Sequence, residues 1–288
     1  MRLKLHKITK TVRMCNMNPY IEHTSQGCVK AASLADWALA HGVGALATDD
    51  VAHLLGIPTS QVPQRLAPLR KRHALFSPAR GLWVPVPAEY REWGAPDPLV
   101  YIDDMMGFLG IDYCVGWLSA AAIHGASHHA AQVFQVATNR TVRGRAFGRS
   151  RLEFFSRGYV GSLAMAKERS ATRGAKVATA GATMLMLADD QAECGGLDNV
   201  ANLVVELSGE APEYADDLMG CLGLFPDAAA RRVGWLLDAF AGGAPEALAA
   251  YCSELGSATS FLSPDRGLTG RRDAKWDLVI NEEVDLDL

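Results

Sequence analysis

The chain lacks any C-x-x-C pair. Its six cysteines, Cys15, Cys28, Cys114, Cys194, Cys221 and Cys252, are scattered over 288 residues. That spacing gives no zinc-binding or dithiol motif, so free thiols, buried or half-buried in a reducing compartment, are expected. No apolar run reaches the ~18 residues that a membrane helix needs. The N-terminal MRLKLHKITKTVRMCNMNPY has no apolar core followed by a small-residue cleavage site, so a cytoplasmic location is expected, with no membrane partner. G-x-S-x-G, Walker-type and H-E-x-x-H signatures are all missing, which leaves no recognisable catalytic centre. Neighbouring acids at Asp103-Asp104, Asp189-Asp190 and Asp216-Asp217 point in different directions on a helix and read as solvated helix termini. His124 and His128 stand four apart and His129 follows. Gly125 interrupts them and no acid or thiol accompanies them, so surface or cap histidines are expected rather than metal ligands. The sequence therefore points to a protein that is not an enzyme and holds no metal and no cofactor.

What the chain does have is a segregated charge. Hydrophobic residues are 49% and charged residues 21% of a chain with net charge −4, a normal globular balance at a length that fits two domains. Residues 1–23 carry five Lys/Arg and one acid, Glu22. Residues 137–176 carry ten Lys/Arg against Glu153 and Glu168, whereas 177–288 carry six against twenty acids. This separation suggests a polyanion-facing surface on one part of the molecule and a different kind of surface on another.

The expected organisation has three parts. Residues 1–27 form a basic N-terminal arm, either a nucleic-acid contact or an inconsequential extension. Residues 28–95 form a small helical domain. CVKAASLADWALAH (28–41) has Val29, Leu34, Trp37 and Ala38 on one face, with Gly42 as a stop. Thr48 caps a second helix to Leu55, ended by Gly56, and Thr59 or Ser60 caps a third reaching about His73. ALFS (74–77) and LWVPV (82–86) then flank Pro78-Ala79-Arg80-Gly81 as a β-hairpin. Pro85, Pro87, Pro96 and Pro98 mark a linker, which places the domain boundary near 95. Residues 96–288 form a larger mixed domain. Helices are expected near 99–110 and 114–125. QVFQVAT (132–138) and RLEFFSR (151–157) read as two strands joined by the loop NRTVRGRAFGRS. Helical runs follow at 161–172, 180–192, 197–208, 213–223, 227–241 and 244–254, and KWDLVI (275–280) is strand-like. The fold class is α+β: an N-terminal winged helix-turn-helix domain followed by a larger mixed C-terminal domain.

Within the third helix, Val62, Leu66 and Leu69 form a buried stripe at i, i+4 and i+7. That leaves Thr59, Ser60, Gln61, Gln64 and Arg65 to face a DNA groove, because Gln and Arg can each make two bonds to a base edge. Arg70, Lys71 and Arg72 suit phosphates, as does Arg80 at the hairpin tip. A solvated helical hairpin is the plain alternative. Pro63 lies in the first turn and is tolerated, whereas Pro68 is expected to kink or shorten the helix and to keep base reading before it. A second basic surface is possible at Arg140, Arg143, Arg145, Arg149 and Arg151. That loop suits phosphate, RNA or an acidic protein, or is simply solvated.

Set in order, these segments resemble a known family. The winged region at about 29–95, WLSAAAIHG (117–125), QVFQVAT, the basic loop and RLEFFSR come first. KVATAGATMLMLADDQAECGGLDNVANLVVEL (176–207), ARRVGWLLDAF (230–240) and KWDLVIN (275–281) follow. The series resembles the AbiEi-like antitoxins of type IV, abortive-infection toxin–antitoxin systems. The resemblance implies a bacterial transcriptional repressor that binds inverted repeats in its own promoter, as a homodimer on double-stranded DNA, and antagonises a nucleotidyltransferase toxin. It places repression on Thr59, Ser60, Gln61, Gln64, Arg65 and Arg80. It gives Ala121-Ala122-Ile123-His124-Gly125 and Arg232-Val233-Gly234 a structural role, holding a helix against the sheet. The basic arm and Pro68 depart from the family pattern. The alternative is a protein-interaction module whose winged domain does not bind DNA.

Overall fold

A computed structural model describes residues 21, 24–126, 133–163, 165, 174–211, 213–256 and 259–286. The basic arm over residues 1–20, His128, His129 and most of the 161–172 run lie outside the described residues. The chain divides into two compact units, Met1–Ala88 and Glu89–Leu288, and the class is α+β. The break falls inside the proline-bearing stretch. The 3₁₀ turn Ala88–Trp93 belongs from Glu89 onward to the second unit, where Arg149 stacks over Trp93 at 5.8 Å. Gly148 also packs so closely on Trp93 there that a Cβ would sit 1.5 Å from its carbonyl oxygen.

The first unit runs through helix α1 (Leu34–Ala40), strand β1 (Leu46–Ala47), helix α2 (Thr48–Leu55) and helix α3 (Val62–Lys71). The antiparallel pair β2 (Leu75–Ala79) and β3 (Leu82–Pro85) follows, with β1 on the free side of β3. Helix α1 is shorter than expected because Ala31–Ser33 is a 3₁₀ turn. Two expected caps are replaced. The Asp50 carboxylate, not Thr48, accepts the Ala47 N–H at 2.8 Å, and burial raises the Asp50 pKa. Thr59 and Ser60 do not cap α3; Thr59–Gln61 is itself a 3₁₀ turn that feeds the helix from Pro58. Helix α3 continues through Pro68 to Lys71. The proline is exposed, so its ring faces solvent and the helix loses only one ladder bond. The hairpin turn is tighter than expected: Pro78 and Ala79 belong to β2, and Arg80-Gly81 makes the turn with Gly81 at φ +91.

The second unit opens with α4 (Ile102–Leu109), β4 (Tyr113–Val115) and α5 (Trp117–His124). Strands β5 (Val133–Thr138), β6 (Arg145–Phe147) and β7 (Ser150–Ser156) complete a four-stranded sheet ordered β4-β5-β7-β6. The two expected strands are parallel neighbours, Val133 opposite Arg151 and Thr138 opposite Ser156. The segment joining them is not a simple loop. It passes beyond β7 and returns antiparallel as β6, Arg145 opposite Leu152.

Helices α6 (Ala180–Asp189), α7 (Leu197–Glu210), α8 (Tyr214–Cys221), α9 (Asp227–Phe240) and α10 (Glu246–Glu254) follow. A small sheet β8 (Ser260–Phe261), β9 (Arg271–Asp273) and β10 (Leu278–Ile280) is ordered β8-β10-β9. Helix α6 is buried from Ala180 to Ala188 and packs against α5, α7, α8 and α9. Glycine permits this: a Cβ on Gly181 would lie 2.1 Å from the Leu218 backbone nitrogen. Cys114, Cys194, Cys221 and Cys252 are buried free thiols and Cys28 is exposed; desolvation pushes the Cys114 thiol up to about 12.

Gly234 on α9 lies under the Trp276 ring, where a Cβ would sit 2.1 Å from a ring carbon. Gly234→Ala should therefore cost about 1–3 kcal/mol by overpacking, read as a lower denaturant midpoint for the second unit. An unchanged midpoint would show that Trp276 moves aside without cost.

Candidate nucleic-acid interface

Helix α3 is oriented by its apolar stripe. Val62 and Leu66 are 0% and Leu69 2% exposed, packed in the core of the first unit with Leu34, Val51 and Leu54. The opposite side is wholly exposed: Thr59, Ser60, Gln61, Gln64, Arg65, Arg70, Lys71 and Arg72 all reach solvent. Gln61, Gln64, Arg65 and Arg72 come together on one open groove of about 550 Å³, with Ala31, Ala32, Pro68 and Leu69 as its apolar part. The chain thus presents amide and guanidinium groups, the donors and acceptors suited to base edges, from the first half of α3.

Arg72 is not a free cation in this arrangement. Its Nη2 donates to the Ala32 carbonyl at 2.6 Å and ties the end of α3 to the turn before α1. The turn between α2 and α3 depends on Gly56, at φ +64. A Cβ there would meet the Gly27 Cα at 3.0 Å. Arg80 is exposed at the hairpin turn. The hairpin is fixed to α2 by Thr48, whose hydroxyl donates to the Gly81 carbonyl at 3.2 Å and accepts Trp83 Nε1–H at 3.0 Å.

The arginines of the second unit divide by role. Arg140 donates to the Leu109 and Gly110 carbonyls at 2.7 and 3.2 Å and so caps the end of α4. Arg151 pairs with Glu153 at 2.8 Å with its side chain 66% exposed, a contact worth little in water. Arg149 stacks on Trp93, Arg143 is exposed and Arg145 is half-buried on β6.

His124 and Asp189-Asp190, which their local pattern placed at the surface, are enclosed, and so are Arg231 and Arg232. His124 is 9% exposed and its Nε2 lies 2.8 Å from the Ala178 carbonyl oxygen. Asp190 is no solvated terminus: Arg157 pairs with it at 2.7 Å and Trp117 Nε1 donates to it at 3.0 Å. Asp189 is half-buried and burial raises its pKa. Arg232 donates to the Ala188 and Phe261 carbonyls at 3.0 and 2.9 Å; its burial lowers its pKa and the Asp189 charge opposes this. Arg231 donates to the Trp276 and Gly256 carbonyls at 3.0 and 3.1 Å and meets Asp277 at 3.3 Å. The adjacent pair Arg231-Arg232 in an otherwise acidic region was the available signal. Among the described residues no group of three or more His, Cys, Asp or Glu could hold a metal ion, and no helix is long and apolar enough to cross a membrane.

Residues 114–239, from β4 to the last turn of α9, match the family described as AbiEi antitoxin C-terminal domain. This part of the chain is similar to an AbiEi antitoxin C-terminal domain. The matched range contains α6, the Arg157–Asp190–Trp117 cluster and both buried arginines. No curated protein matches the chain. The fold is similar to that of the crystal structure of the RV2827C protein from Mycobacterium tuberculosis, with TM-score 0.61 and 15% identity over 89% of this chain and 95% of that one.

The Thr48 tie is testable. Thr48→Val leaves Trp83 Nε1 without its acceptor, while the Gly81 carbonyl keeps the Thr48 backbone N–H at 2.9 Å, and should lower the stability of the first unit by about 1–3 kcal/mol. Tryptophan-fluorescence denaturation checks this, and a loss under ~0.5 kcal/mol would mean that water replaces the hydroxyl.

Proposed function

We propose that this AbiEi-like chain is an antitoxin whose first unit binds duplex DNA at its own promoter and represses its own operon, in the cytoplasm of a bacterium. The observation that carries the reading is the surface of α3. Its apolar stripe is fully buried, while Gln61, Gln64 and Arg65 are exposed together beside a β-hairpin. Helices of this kind enter the major groove N-terminus first. Gln64 and Arg65 would read base edges and Thr59, Ser60 and Gln61 would accompany them. Arg70, Lys71 and Arg80 would neutralise phosphates; Arg72 would do so only by releasing Ala32. Arg143 and Arg149, with Arg145 and Arg151, offer phosphates a second basic surface, and Arg140 serves α4. Two copies on an inverted repeat would match protein symmetry to operator symmetry. The AbiEi domain supports an antitoxin role, and the toxin it would oppose is a nucleotidyltransferase.

A second reading keeps the antitoxin role without DNA. Residues 177–288, with six Lys/Arg against twenty acids, would dock a basic protein and the winged unit would be an interaction module.

Fluorescence anisotropy with the chain's own upstream DNA decides between them. Gln64→Ala and Arg65→Ala should each weaken binding by about 1–3 kcal/mol relative to a scrambled duplex, with unfolding midpoints unchanged. Wild-type protein that does not prefer its own upstream DNA, or variants that bind it as well as wild type, would overturn promoter recognition. Rescue of growth from a co-expressed nucleotidyltransferase, without DNA binding, would favour the second reading.

A further inference from the structure

The chain has six tryptophans, and all but one are buried or half-buried. Trp93, at the end of the 3₁₀ turn Ala88–Trp93, is 45% exposed. An indole left in water forgoes the burial that a tryptophan usually contributes, yet this one is held in place. Tyr90, three residues earlier on the same side of the turn, meets it edge-on with ring centroids 5.5 Å apart. Gly148, at φ +55, presses the β6–β7 turn onto the Trp93 backbone, where no side chain on Gly148 would fit. Arg149, next in that turn, sets its guanidinium over the Trp93 ring at 5.8 Å. Glu89 and Glu92 share a different side of the 3₁₀ turn, because side chains three apart eclipse in this geometry.

The surroundings are cationic and open. Strand β6 is the edge of its sheet, and residues 137–176 carry ten Lys/Arg against Glu153 and Glu168. Arg143 is exposed shortly before β6 and Arg149 shortly after it. A fixed, solvent-facing indole beside guanidinium groups matches single-stranded nucleic acid: an unpaired base stacks on the ring and the cations hold phosphates. A duplex keeps its bases stacked on one another and has none to spare for the ring, and an acidic peptide needs only the cations. We propose that Trp93, Arg149 and Arg143 form a binding site for single-stranded nucleic acid, in which an unpaired base stacks on the Trp93 indole and the two arginines hold neighbouring phosphates. The proposal rests on the reading of this basic loop as a phosphate-facing surface and deepens it; it does not depend on α3.

The test measures binding of the full chain to labelled strands of about 12 nucleotides: oligo-U, oligo-dT and an abasic deoxyribose strand of the same length. Wild-type protein should bind oligo-U or oligo-dT about 5–150-fold more tightly than the abasic strand, the worth of one stacked base. Whichever of the two binds more tightly identifies the sugar. Trp93→Ala should remove that advantage and Trp93→Phe, which keeps a ring, should retain most of it. Arg143→Gln combined with Arg149→Gln should weaken all three strands and lower the slope of log K against log salt by about 1.4, or ~0.7 per lost phosphate contact. Arg65→Ala on α3 should change none of these values. Equal binding of base-bearing and abasic strands by wild-type protein overturns the stacking site and leaves the phosphate surface standing. That comparison uses no variant, so it decides the matter even where Trp93→Ala fails to fold. A folded Trp93→Ala chain that binds oligo-U and oligo-dT as wild type does also overturns the proposal. Tighter binding of poly-glutamate than of either base-bearing strand overturns it in favour of an acidic protein partner. Wild-type protein that binds none of the strands removes the stacking site and the phosphate surface together.

Discussion

The second unit is organised around one requirement: a ten-residue helix, α6, buried from Ala180 to Ala188 must have its backbone ends satisfied without water. An interior helix leaves N–H groups at one end and carbonyls at the other, each costly if unpaired. Thr179 accepts the Ala182 N–H at the first end. At the other, Arg232 donates to the Ala188 carbonyl, a cation where the helix dipole favours one. Asp190, just past the helix, is held by Arg157 and Trp117. Removing Arg232 would therefore orphan a buried carbonyl as well as a contact to β8. The small residues have the same origin, since Gly181 lets the α8 backbone approach where any side chain would collide.

The first unit separates support from recognition by the same physics. Core contacts of Val62, Leu66 and Leu69 fix the rotation of α3, and that rotation exposes Gln61, Gln64 and Arg65 as a set. Arg72 adds a strut to Ala32, and Thr48 and Trp83 fasten the hairpin. The two prolines of α3 are both exposed. One sits in the first turn and the other removes a single ladder bond on the solvent side, so the helix keeps its direction.

Much of this was legible in the chain itself. Period-3.6 patterns located most of the described helices, although Cys114 and Val115 belong to strand β4 and not to the helix expected at 114–125, and the described residues of the 161–172 run are not helical. Gly56 and Gly81 marked the turns that need positive φ, and the stripe 62-66-69 identified the face of α3 that is buried. These features are local: backbone sterics and side-chain spacing act over a few residues and leave their trace in the sequence. The order of motifs from 114 to 239 likewise pointed to the AbiEi antitoxin C-terminal domain whose family model matches those residues.

Partnerships across long sequence separation were decided only by the tertiary structure. Asp190, His124, Arg231 and Arg232 have polar side chains that local rules place in water, yet each is enclosed and finds a partner 33 to 54 residues away or comparably distant. The parallel pairing of β5 with β7, with β6 returning on the far side, is a long-range arrangement that the strand sequences do not spell out. Arg72 and Arg140 look like free cations in a basic run, and only packing shows them spent on backbone carbonyls. The sequence by itself determined most of the helices and the outward face of α3, because those depend on spacing, but not the short strands β1, β4, β6, β8 and β9. The tertiary structure decided which charges remain available to a partner, because burial and hydrogen bonding depend on what the fold brings alongside.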